Sequence, residues 1–118
     1  MNTIIRKVSA PDDYVLCFPY CPGIIFVTGR PTFQKFLYVD DSTPLSRPNW
    51  LAEIREEIAA KRPRVIVIWN WDINRTAISR FSVWAAPLYR FIGETYELRA
   101  KIARNDKDQS WYELYVLK

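Results

Sequence analysis

The chain has 118 residues, 17 Lys and Arg against 13 Asp and Glu for a net charge of +4, two cysteines and no histidine. This length fits one domain, and 49% hydrophobic with 15% aromatic residues supplies a real core, which excludes a disordered chain. The missing histidine removes the commonest general base, the Ser-His triad and almost all zinc chemistry, and the scattered basic excess lacks the stripe of a nucleic-acid binder.

An anionic membrane surface or a phosphate-bearing ligand suits that mild excess equally well. Met1–Val8 is polar and lacks the apolar core of a signal peptide. The longest apolar runs are a few residues, far short of the ~20 that a membrane span needs.

Ile4–Val8 reads as a short strand or a lead-in, and Pro11-Asp12-Asp13 as a turn. Tyr14–Phe18 reads as the first strand, ended by Pro19. Pro22–Gly29 reads as a short helix, with Pro22 suited to its first position and Gly29 to a left-handed stop. The β-forming run Ile24–Val27 is the rival, strand reading of the same segment. Phe36–Val39 is a predicted second strand, closed by Asp40-Asp41-Ser42, and Ser42–Asn49 a loop with two prolines.

Trp50–Lys61 has the strongest helical pattern, with Trp50, Leu51, Ile54 and Ile58 on one face and acids early, Lys61-Arg62 last. Pro63 stops it. Val65-Ile66-Val67-Ile68 then forms an unbroken β-branched run, which suits a strand buried on both faces in the middle of a partly parallel sheet. Asp72–Ser82 reads as irregular or one helical turn. Pro87–Thr95 is a second helix with a break expected at Ala86, because a helix running through Pro87 would kink at a cost of ~3 kcal/mol.

The chain closes on a hairpin. Leu98, Ala100 and Ile102 alternate with Arg99 and Lys101, and Tyr112, Leu114 and Val116 with Trp111, Glu113 and Tyr115, around the loop Asn105–Gln109. Strands alternating with helices predict an α/β, three-layer Rossmann-like domain: a mainly parallel sheet of about five strands with an antiparallel C-terminal hairpin.

Ligands of open α/β sheets sit outside the carboxyl ends of the parallel strands. Those ends are predicted at Pro19–Cys21, Asp40-Asp41 and Asn70–Asp72, so Arg30, Asn70, Asp72 and Arg75 are the candidate ligand-binding residues. The competing reading gives these side chains to loop backbone and helix caps. Three glycines form neither G-x-G-x-x-G nor a P-loop. Asp40, Asp41 and Asp72 are the carboxylates placed for acid–base work, although adjacent aspartates usually form solvated turns. No metal set is grouped, and no cofactor is indicated.

Cys17 and Cys21 read as two small buried hydrophobes, or as a disulfide across a turn at Pro19-Tyr20. Three intervening residues disfavour redox catalysis. Trp69, Trp71, Trp84, Tyr89, Trp111, Tyr112 and Tyr115 suit core packing, stacking on sugars or bases, or a membrane interface. Asn74-Arg75-Thr76 fits the N-glycosylation acceptor pattern.

Several stretches carry a family resemblance. They are Asp13-Tyr14-Val15, Pro22-Gly23-Ile24-Ile25-Phe26-Val27-Thr28-Gly29-Arg30, Phe36-Leu37-Tyr38, the helix Glu53–Lys61, Arg62-Pro63-Arg64-Val65-Ile66-Val67, Phe91 to Tyr96-Glu97-Leu98, and Trp111-Tyr112-Glu113-Leu114-Tyr115-Val116. The pattern from Asp12 to Lys118 resembles the soluble C-terminal domain of polytopic, polyprenyl-phosphate-sugar-dependent glycosyltransferases, the protein-O-mannosyltransferase-like and aminoarabinose-transferase-like superfamily. The resemblance implies a non-catalytic domain on the extracytoplasmic face that follows the last membrane span. Its implied partners are the upstream transmembrane portion of the same parent, the membrane surface and the lipid-linked sugar. That family keeps its catalytic acids in loops among the membrane helices, so none carries over to this chain. The reading beside it is a free-standing module binding a nucleotide, sugar or nucleic acid.

Overall fold

The computed structural model describes residues 1–34, 38–71, 76–105 and 110–118. In chain order the helices are α1 (Asn2–Val8), α2 (Pro22–Thr28), α3 (Thr43–Ser46), α4 (Trp50–Lys61), α5 (Phe81–Trp84) and α6 (Ala86–Thr95). The strands are β1 (Val15–Phe18), β2 (Val65–Asn70), β3 (Tyr96–Asn105) and β4 (Ser110–Leu117). A 3-10 turn spans Ala77–Ser79.

The sheet is mixed and has four strands among the described residues, in the order β1-β2-β4-β3. Only β1 and β2 run parallel, from Val15↔Val65 to Phe18↔Ile68. β4 lies antiparallel to β2 and to β3. This corrects the expectation of a Rossmann-like, mainly parallel sheet of about five strands. Of the predicted strand Phe36–Val39, residues 36 and 37 lie outside the described set, and Tyr38 makes an isolated antiparallel bridge to Tyr20.

Residue chemistry explains the arrangement. β2 is buried on both faces, so it needs a neighbour on each side. β4 supplies one, with Leu114 and Val116 buried on one face and Tyr115 on the other. β3 carries Glu97, Arg99 and Lys101 and takes the margin, where charges discourage further pairing. A register shift between Leu98 and Ala100 leaves Arg99 as an extra residue. Leu98 therefore opposes Tyr115 and is half exposed, whereas Ala100 opposes Leu114 and packs into the opposite face. The predicted single apolar row Leu98, Ala100, Ile102 is broken at that bulge.

The other margin is closed by the segment after α2. The Val15 amide donates to the Pro31 carbonyl (2.9 Å). The Gln34 side chain then pairs with the Cys17 backbone, its Oε1 accepting from N–H (2.7 Å) and its Nε2 donating to C=O (3.0 Å).

Helices cover both faces. On one, α4, α5 and α6 bring Trp50, Ile54, Ile58, Phe81, Leu88 and Ile92 against Leu16, Phe18, Ile66 and Ile68. On the other, α1 and α2 lie over Val15, Cys17, Val65, Val67, Leu114 and Val116. The expected strand or lead-in at Ile4–Val8 is helix α1: Met1, Ile4, Ile5 and Val8 recur at helical spacing and all pack inward. α2 ends at Gly29 in the left-handed conformation (φ 68°). α4 spans the predicted Trp50–Lys61, and its end falls at Arg62, itself left-handed (φ 48°). α5 and α6 break at Ala85, one residue before the expected position.

Tyr96 anchors the start of β3. It is 1% exposed and its hydroxyl donates to the Pro63 carbonyl (2.6 Å). Burial raises its pKa above the usual phenol value, as it does for Tyr115, whose bond to Glu113 adds to the effect. The folded state therefore holds these protons where the unfolded chain releases them. The sign follows: stability is full below about pH 10 and falls above it, by about 1.4 kcal/mol per pH unit for each such phenol. Urea midpoints measured across that range will fall less steeply for Tyr96→Phe than for the parent, by that one increment.

Candidate functional site

The carboxyl ends of β1 and β2 lie side by side. Beyond β1 the chain turns through the cis Phe18-Pro19 bond to Tyr20 and Cys21, and Cys21 starts α2. β2 ends on Trp69 and Asn70, and Trp71 follows it. Strand alternation sends Trp69 to the α1/α2 face and Asn70 to the α4–α6 face. Two separate groupings result.

On the first face, Trp69 is stacked between Trp71 (4.4 Å, 12° between planes) and Tyr112, its register partner on β4 (5.4 Å, 23°). Trp69 and Tyr112 of this stack line a cleft of about 510 Å³ whose other walls include Asn2, Tyr20, Cys21, Ile24 and Val27. Tyr20 is 44% exposed and packs edge-on against Tyr38 (5.5 Å). The Trp71 indole N–H is buried with no acceptor among the described residues. Cys17 and Cys21 form a disulfide with their Cα atoms 5.8 Å apart, which ties the cleft wall to β1.

On the second face, Glu113 is a buried carboxylate, 4% exposed. Its Oε1 accepts from the Tyr89 and Tyr115 hydroxyls (2.7 Å each). Its Oε2 accepts from the Trp111 indole N–H (2.7 Å) and the Asn70 amide (3.1 Å). Four neutral donors thus solvate the charge in place of water. Lys101 is its register partner on β3, but the Lys101 ammonium sits over the Trp111 ring (4.3 Å). Burial and the bond to Glu113 raise the Tyr89 pKa as well. With both oxygens doubly bonded to donors, Glu113 ties β2, β4 and α6 together and has no lone pair presented to a substrate.

The predicted site residues are not brought together. Asn70 is spent on Glu113, while its Oδ1 accepts from the Ser82 amide (3.4 Å). The Arg30 guanidinium closes the end of α1, donating to Ser9 Oγ (3.0 Å), the Ser9 carbonyl (3.2 Å) and the Arg6 carbonyl (3.4 Å). The neighbouring Val8 carbonyl accepts from Arg64, which directly precedes β2 (2.9 Å). Arg30 therefore lies at the amino ends of the parallel strands, roughly 20 Å from Asn70 along β2. Asp72 and Arg75 lie outside the described residues, as do Asn74 and Arg75 of the glycosylation triplet. Asp40 accepts from Tyr38 Oη (3.1 Å) and the Ser42 amide (2.9 Å), a turn-forming role. Among the described residues there is no metal-ligating cluster of three or more His, Cys, Asp or Glu, and no helix long and apolar enough to cross a membrane.

Sequence reasoning overlooked Glu113. The available signal was an acid flanked at i±2 by Trp111 and Tyr115, two aromatics with donor groups on the same strand face. The shelf was visible only as separate aromatics.

No family model, curated protein or solved structure matches the chain.

Replacing Glu113 by Ala orphans four donors, the buried Asn70 and Tyr115 and the part-buried Tyr89 and Trp111. We expect a loss of roughly 3 kcal/mol or more, or about 10 °C in Tm, read by thermal and urea unfolding. Glu113→Gln keeps one acceptor oxygen and will fall between the two.

Proposed function

We propose that this chain is a non-catalytic, extracytoplasmic accessory domain of a membrane-bound glycosyltransferase using a polyprenyl-phosphate sugar, and that the cleft beside Trp69 contacts saccharide. Two things support the reading. One is the sequence resemblance running from Asp12 to Lys118. The other, which carries it, is the stacked Trp69, Trp71 and Tyr112 shelf at the carboxyl ends of β1 and β2, the region where open α/β sheets hold ligands.

The chemistry of a pyranose fits such a shelf. One face of the ring is a row of C–H groups, which settles on the electron-rich face of an aromatic ring. The hydroxyls at the ring's rim need polar partners, and Asn2 and Tyr20 line the same cleft. In this role the domain holds or guides sugar, and bond-making belongs to the membrane-embedded part of the parent.

The test is titration of the chain with short-chain prenyl-phosphate mannose, prenyl-phosphate aminoarabinose and free mannose oligosaccharides, followed by tryptophan fluorescence. Saturable binding is expected, weakened about tenfold by Tyr112→Ala through the loss of a stacking ring that lines the cleft. Absence of saccharide binding at millimolar ligand, or binding indifferent to that substitution, overturns the proposal. A nucleotide or oligonucleotide that binds more tightly than any sugar would favour the free-standing module instead.

A further inference from the structure

The outer surface of the α1/α2 layer joins exposed apolar side chains to cations. Phe26 on α2 is 87% exposed and Val27 is 51% exposed. Neither α1 (Asn-Thr-Ile-Ile-Arg-Lys-Val) nor α2 (Pro-Gly-Ile-Ile-Phe-Val-Thr) contains a carboxylate. Arg6 and Lys7 are exposed on α1, and Arg6 reaches across to donate to the Val27 carbonyl (2.8 Å). By contrast, α4 on the opposite face carries Glu53, Glu56 and Glu57.

The geometry points to this layer as a docking surface for an anionic lipid bilayer, with Phe26 and Val27 entering the headgroup–acyl boundary and Arg6 and Lys7 pairing with lipid phosphates. Charge complementarity selects a negative partner, because the layer's helices offer cations and no acid. Shape selects a bilayer over a peptide. A peptide anchor needs a concave, preformed pocket, whereas Phe26 stands out from a convex helix with most of its surface in water. Ile24 and Ile25 pack against the core beneath α2 and hold its inner side, so the outer side chains are presented on a fixed support. Val27 also lines the cleft beside Trp69, so docking sets the cleft mouth at the lipid surface, where amphipathic Trp and Tyr rings are at home. The proposal goes beyond the saccharide reading and does not need it.

The experiment is co-sedimentation of the chain with phosphatidylcholine vesicles, with and without phosphatidylglycerol. Binding is expected to the anionic vesicles and to weaken as salt is raised. Phe26→Ser and Lys7→Glu are each expected to weaken it about tenfold with an unchanged urea midpoint, since both side chains are exposed. Failure to pellet with anionic vesicles at low salt overturns the proposal. So does binding indifferent to Phe26→Ser, displacement by soluble glycerol phosphate, or binding to an acidic amphipathic peptide without binding to vesicles. The vesicles carry no sugar, so this result and the saccharide titration are read separately.

Discussion

The structure depends on the two-sided burial of four consecutive side chains. Val65, Ile66, Val67 and Ile68 are all fully buried, and alternation sends them in pairs to opposite faces. Each face then needs its own cover, and each edge of the strand its own partner. α1 and α2 cover Val65 and Val67, while the longer helices cover Ile66 and Ile68. β1 and β4 satisfy the strand's hydrogen bonds from either side. Burying one such side chain stabilises the fold by about 1.5–3 kcal/mol, so the run is a large part of a marginal total.

Much of this was legible in order of residues. The Trp50–Lys61 helix shows because its apolar spacing, acid-first charge order and terminal proline all agree. β2 shows because four β-branched residues in a row favour extended chain. Strand order did not show. Which arm of the closing hairpin docks on β2 is decided by which arm is apolar on both faces, and that comparison is lost when strand–helix alternation alone is used to infer a parallel sheet. α1 was misread because Ile4-Ile5 suggests extended chain, whereas the wider set including Met1 and Val8 is helical.

The site was less legible than the fold. The sequence places Arg30 and Asn70 near strand ends, yet one sits at the amino ends and caps α1 while the other sits at the carboxyl end and faces a buried acid. Polar side chains near a turn have many local backbone groups to serve, and that local demand won here. Trp69 and Tyr112 become one shelf only through the β2–β4 register, a long-range fact that no window of sequence contains. Glu113 is the converse case. Its neighbours in sequence supply two of its four donors, so half of its environment was local and half arrived from β2 and α6.

The pairing of Gln34 with Cys17 has a consequence for how the molecule behaves in a crowd. A primary carboxamide carries the same acceptor and donor as a peptide unit, and here it occupies both backbone groups that β1 turns outward at Cys17. Together with the Pro31 carbonyl on Val15, it takes up ladder groups that a foreign strand would otherwise copy. Protection against polymerisation on that flank thus hangs largely on one rotamer.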